Sequence, residues 1–510
     1  MLRCVALQII ALTDVPATER CGFLLFGALA MSASTKAEAV LALNRFGMGP
    51  RSGSIAVIEA DPRGALIADL ERTSADVPAA SVPSSVEAFR KVAEANAKRQ
   101  AQAVIAARAL KESRQAKTSE GSSMMEGTDQ DDKEKAAKAA VAAVPDPGRS
   151  MYLDEARIRI DAALAAEVGF VERLVWFWSN HFCISADKIR SMSGAYEREA
   201  IRPHVLGQFS DLLLTAEGHP AMLYYLDNVM SVGPQSIAGI NQTRGLNENM
   251  AREVLELHTL GVRSGYGQDD VIRFANVLTG WTWVPAGASP EHGGEFTFNP
   301  RLHEPGAQKV IEKVYSQEGV EQGRAVLRDL AVHPATATHV ATKLARHFVT
   351  DAPPTDLVES IATVFLNTQG DLKETAKAMI VHPASWTQPP TKLKRPSEWV
   401  VGIMRAGGLA QADPERFTRG QALLGEPLWR PPSPKGHPDD EASWIDGIGR
   451  RLDIANRFSE RIADRVDPKE VIESVLGSSV SPEVSDAVSR AESRQQALAL
   501  LFMATEFQRR

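Results

Sequence analysis

Three cysteines in 510 residues leave little sulfur chemistry to consider. Cys4, Cys21 and Cys183 form no CxxC pair, so neither a disulfide framework nor a thiolate zinc site is supported. Cys183, beside Phe182, reads as a small buried apolar residue rather than a nucleophile. Long apolar runs are absent too. The run GFLLFGALA at 22–30 falls well short of the roughly 20 residues a bilayer-spanning helix needs. There is no excess of basic charge: the formal net charge is −7, which argues against a nucleic-acid partner, because a phosphate backbone needs a concentrated cationic face. Also missing are GxGxxG after a strand, GxxxxGK[ST], HExxH, GxSxG and CxxCH, so nucleotide-binding, zincin, α/β-hydrolase and haem-attachment readings have no support.

What remains is ordinary globular material, 44% hydrophobic and 24% charged, long enough to bury a large core. Residues 1–34 read as a weak export signal or an over-extended start, since Asp14, Pro16 and Glu19 interrupt the segment and Met31 can itself be a start. Residues 35–112 carry helical patterns broken by Gly/Pro turns. Residues 113–150 are expected to be a polar disordered loop and a short helix, because SEGSS and EGTDQDD offer too little apolar surface to offset chain entropy. Residues 151–510 form a helical main body against which 35–112 should pack as one domain. The expected fold is therefore mainly α and bundle-like. It has a small β-hairpin excursion near 284–314 and a Pro-rich ordered loop from Leu424 to Trp444, whose tryptophans are costly to leave in water.

The sharpest chemical segment is GLNENMAREVLELHTLGV. Asn247 can cap a helix that Gly261 ends, with Met250, Val254 and Leu257 as its apolar face. Glu248, Asn249, Arg252, Glu253 and Glu256 make a polar stripe at three- and four-residue spacing. The stripe is either an exposed set of ion pairs or a partly buried site. In the site reading Glu253 or Glu256 is general base or metal ligand, and Arg252 anchors an anionic group. His181, with Asn180, ends the aromatic helix RLVWFWSNHF and can be a base, a ligand or a core residue. Asp227 closes PAMLYYLDN and either joins the site or turns the chain. His303 with Glu304 sits in the hairpin excursion, where it can cover a site. A divalent metal is conceivable from these oxygen donors, but no fixed histidine spacing supports it. His339, Lys343 and His347 share one helix face, a pattern that reads as solvated.

Taken together, LNRFGMGP, RLVWFWSNHF, PAMLYYLDN, NENMAREVLELHTLGV, DDVIRFANVLTGWTW, HPATATHVATKLARHFV, KLKRPSEWVVGIMRAGG and LGEPLWRPPSPKGHP make the chain resemble the bacterial domain-of-unknown-function family 1800. The resemblance runs from about Ala37 to Arg510, apart from the polar loop. It implies no reaction, substrate or cofactor. It does imply an extracytoplasmic setting and an exported partner protein. The family pattern Gly-Trp-Pro is replaced here by Gly436-His437-Pro438, and His-Asp by His303-Glu304. Two functional readings result: a hydrolytic or metal-assisted enzyme, and a non-catalytic binding or assembly protein. They differ in whether His181, Asp227 and Glu253 meet.

Overall fold

The computed structural model describes residues 35–72, 74–78, 82–119, 127–241 and 245–510. It is mainly α, 64% helical and 4% strand. One recurring device starts the helices: an Asp, Ser or His cap followed by proline at the first helical position, where its missing N–H costs nothing. Asp146-Pro147, Asp413-Pro414, Asp467-Pro468 and Ser481-Pro482 all work this way. His-Pro-Ala occurs three times, and in each the imidazole Nδ1 accepts the alanine N–H: His219 from Ala221 at 3.1 Å, His333 from Ala335 at 3.1 Å, His382 from Ala384 at 3.3 Å. In each the imidazole nitrogen accepts through its lone pair, in the role that Asp or Ser oxygen plays at the other starts.

The aromatic helix Phe170–His181 is the axis of the core, buried at every position except Asn180. Phe46, Phe170 and Phe348 pack ring to ring around it, with centroids 5.5–6.0 Å apart. Buried apolar residues from Ala39 to Phe507 belong to one continuous cluster, so the N-terminal helices and the main body share a core. The excursion contains two antiparallel hairpins rather than one: Trp281–Trp283 with Phe296–Phe298, and Gln308–Val310 with Lys313–Tyr315. The loop after Leu424 is ordered, with Trp444 buried. Beyond it Asp467-Pro468, Ser481-Pro482 and Ser493 each start a further helix.

In the segment 113–150, expected to hold a polar loop and a short helix, the described residues are mostly helical. A helix runs through Ser85–Ser119 and a second through Gly127–Ala142, and the two pack together. Alanine, lysine and glutamate favour helix strongly enough to extend it without a wide apolar face. Residues 120–126, like 1–34 and the export signal read there, lie outside the described residues.

Candidate functional site

The segment after Asn247 is helical but changes pitch. Asn249–Glu253 is an α-helix and Val254–His258 a π-helical turn, after which Gly261 at φ 89° donates to Leu255 O and ends it. The wider turn rotates the residues after it about the helix axis. Leu255 and His258 go into the core, while Leu257, placed by simple periodicity on the apolar face, is only partly buried.

The same segment separates the expected site residues. Asn247 Oδ1 accepts the Asn249 N–H at 2.9 Å, and the side-chain amides of Asn247 and Asn249 donate to Asp227 O and Leu226 O. Asp227 is a left-handed turn residue (φ 60°) whose carboxylate pairs with Lys188 at 2.6 Å on the surface. Arg252 is taken up by Glu248 at 3.0 Å, Glu256 at 3.5 Å and Gln268. These are partly exposed pairs, worth about 0.2–0.5 kcal/mol each. His303 lies against Phe298 and Thr279 O, and Glu304 accepts the Gln235 N–H at 2.8 Å, so this dipeptide fastens the base of the excursion.

His181 is fully buried, with Nε2 donating to His258 O at 3.1 Å. Burial first, then the charge of Lys343, holds its pKa well below that of a free imidazole, so it stays neutral. His339, placed alike by its bond to Leu257 O, has its pKa lowered by burial to about 4. Behind them His258 Nδ1 lies 2.6 Å from Glu217 Oε1, both residues essentially inaccessible. Sequence reasoning missed this pair, because the inward turn of His258 depends on the π-helical register.

One expected residue is differently placed. The Glu253 carboxyl makes no hydrogen bond or ion pair among the described residues, and burial raises its pKa. Its charge is felt at Cys183 and at the Tyr225 hydroxyl, itself without a hydrogen-bond partner among the described residues. From a third segment comes Lys343, also unpaired, whose pKa burial lowers to about 8 and whose charge is the strongest acting on Cys183. The helix face bearing His339, Lys343 and His347, read as solvated, is partly covered instead: His347 is buried, and His339 and Lys343 are half-buried. Cys183 itself is pushed by burial up to about 12 and its thiol contacts Pro434 O at 3.2 Å, so it remains a protonated packing residue.

Cys183 also forms part of the wall of a cavity of about 50 Å³, together with Asn180, Arg159, Arg173, Arg395 and His437. The charges here are spent on one another. Glu398 binds Arg173 at 2.9 Å and Arg510 at 2.7 Å; Arg395 pairs with Glu426; and Glu197 receives Arg159, Arg202, Ser179 Oγ and Trp429 Nε1. His347 Nδ1 donates to Asp439 at 2.9 Å while Arg173 approaches Nε2 at 3.4 Å. A guanidinium beside Nε2 requires a bare nitrogen, consistent with a neutral ring whose pKa burial lowers to about 4.

Asn180 fixes the late loop over this cavity: its amide donates to His437 O at 3.0 Å and its carbonyl accepts His437 N–H at 2.8 Å. The Gly436-His437-Pro438 segment thus meets Asn180 through the backbone atoms of His437. At Gly436 φ is 88° and an added Cβ would lie 2.5 Å from Asn180 O. Gly436→Ala is expected to cost about 2–3 kcal/mol in urea unfolding, combining left-handed strain with backbone overlap; an unchanged midpoint would refute this docking.

Among the described residues no group of three or more His, Cys, Asp or Glu side chains is placed to hold a metal ion, and no helix is long and apolar enough to cross a membrane. Fold and site together define a mainly α protein with one continuous core and an arginine-walled cavity whose charges pair with one another. The chain belongs to the family described as protein of unknown function DUF1800, which it matches over residues 41–509. No curated protein and no solved structure matches it.

Proposed function

We propose that the protein is a hydrolytic enzyme working by acid–base catalysis at Glu253, Lys343 and Tyr225. The observation that carries this reading is that three titratable groups from three segments, each electrostatically coupled to Cys183, have no side-chain partner among the described residues, whereas the charges of the cavity that Cys183 lines are paired. Unpaired, desolvated groups with displaced pKa values mark sites where binding of another molecule completes the bonding. In the proposed step a water oxygen attacks the substrate's electrophilic centre and its proton passes to the Glu253 carboxylate. The Lys343 ammonium gives a proton to the leaving group, while the Tyr225 hydroxyl donates to the oxygen that gains charge. His181 is a positioning residue, since its one side-chain hydrogen bond among the described residues holds the carbonyl at the end of the π-helical turn.

The test is a panel of chromogenic esters, amides, glycosides and phosphoesters assayed with the wild-type chain and with Glu253→Gln, Lys343→Ala and Tyr225→Phe. Glu253→Gln and Lys343→Ala should each lower kcat by about 10²–10⁴-fold on any substrate turned over. The pH profile should be bell-shaped. Its acid limb reflects the raised pKa of Glu253, which must be ionised, and its alkaline limb the value of about 8 at Lys343, which must be protonated. Unchanged turnover in both variants, or no hydrolysis by the wild type, removes the assignment.

A second reading, a non-catalytic assembly protein working with an exported partner, is favoured by the mutually paired charges around the cavity. Under it the two variants retain any partner binding, and no panel substrate is consumed.

A further inference from the structure

Away from this site, helices Pro396–Ala406, Pro414–Leu423 and Ile448–Ile462 border an open groove of about 800 Å³. Its floor is apolar, with Ile403, Met404, Leu409, Phe417, Phe458 and Ile462 contributing. Its edges are cationic. Arg457 and Arg461, four residues apart on the last of these helices, stand about 6 Å from each other along one side, and Arg465 follows just beyond the helix's end. Arg416 and Arg419, three residues apart, occupy the other. Asp413 is the one carboxylate of the lining, and it pairs with Arg416 at 3.3 Å. The remaining four guanidiniums make no side-chain hydrogen bond or ion pair among the described residues.

Exposed arginines alone are ordinary solvated surface. Two facts together point further: Leu409, Leu423, Ile454 and Phe458 leave apolar surface open above a floor whose other members are buried, and both edges carry the same sign with one compensating charge. We propose that this groove docks an amphipathic helix of a partner protein, its apolar stripe bordered on both sides by Asp and Glu. A helix matches the form of the groove, because packing into the channel between two helices over a third buries residues spaced i, i+3, i+4 and i+7. The paired cationic edges match an acidic border on each flank. A membrane surface is the poorer fit, since a flat bilayer does not enter a concave channel between exposed edges.

The experiment uses the full chain and two fluorescent synthetic helices with leucines at i, i+3, i+4 and i+7. One carries glutamate on both flanks and the other lysine, and binding is read by anisotropy. The glutamate peptide should bind at least about tenfold more tightly than the lysine peptide. Arg457→Glu combined with Arg461→Glu should reverse that order. Both positions are exposed and unpaired among the described residues, so the double variant should keep the wild-type circular dichroism and melting temperature. Equal binding of the two peptides, no binding of either, or an unchanged preference in the variant overturns the proposal. So does finding that the variant abolishes self-association in sedimentation, or adsorption to phosphatidylglycerol vesicles, without altering peptide binding; the occupant would then be a second copy or a membrane.

Discussion

Replacing Glu398 by alanine is expected to remove about 3–5 kcal/mol of stability at neutral pH, a large share of what a folded domain has. Glu398 Oε1 accepts Arg173, Oε2 accepts Arg510 and the Arg395 backbone N–H, and so the same carboxylate caps the helix Pro396–Ala406. All three members of this ionic group are buried. Truncation leaves two guanidiniums facing each other without a counter-charge, and that uncompensated burial, rather than the pair's net worth, sets the cost. Glu398→Gln should cost less, because its amide oxygen still accepts one of them. Urea midpoints at pH 7 check both values, and a loss below about 1 kcal/mol for the alanine variant would contradict the assigned geometry.

The same network makes the fold sensitive to acid. Burial alone would raise the Glu398 pKa, but Arg173 and Arg510 outweigh it and hold the carboxyl well below its usual range. A depressed carboxylate adds stability above its unfolded pKa and loses it as pH falls through the folded one. His347 acts in the same direction by a different route: its folded pKa of about 4 lies below the ordinary 6.5, so the unfolded chain takes up the proton first as pH falls. His339, also at about 4, adds to this. Stability should therefore decline from near pH 6.5 downward, with the carboxylate contribution lost at lower pH. Chemical denaturation across pH 4–7 measures it, and a flat profile there would exclude buried neutral histidines.

These features were unequally legible in the sequence. Gly261 is local, because left-handed termination needs only neighbouring residues; Asn247, expected as the cap, stands one residue before the capping position Glu248 and turns the chain there by accepting the Asn249 N–H. The π-helical turn at Val254–His258 is not local, because it inserts a wider loop of backbone where 3.6-residue spacing is assumed, and it moved His258 inward and Leu257 outward. The charged cavity was missed although a signal existed. Glu172-Arg173 interrupts FVERLVWFW, and Arg395 and Glu398 interrupt KLKRPSEWVV, so ionic residues stand inside otherwise apolar runs. Such residues must find each other when the runs are buried on all sides. Which carboxylate meets which guanidinium was not readable, since Arg173, Glu398 and Arg510 come from distant segments and only the fold joins them. The stripe after Asn247 failed as a unit for the opposite reason: its Arg252 is satisfied locally by Glu248 and Glu256, which leaves Glu253 alone facing the cluster.

That cluster makes a prediction independent of any substrate. A lysine of pKa about 8 in place of 10.5 has a neutral fraction at pH 7 larger by about 300-fold. Allowing for the weaker nucleophilicity that accompanies lower basicity, Lys343 should be acylated by a small amine-directed ester tens of times faster than paired surface lysines such as Lys377 and Lys188. The advantage should shrink as pH rises past 8, where Lys343 is already neutral and the others begin to lose their protons. Peptide mapping by mass spectrometry at short reaction times reads all sites together. If Lys343 is labelled no faster than Lys377 at pH 7, its amine is ordinarily solvated and protonated, and it cannot hold the acid–base role assigned beside Glu253 and Tyr225.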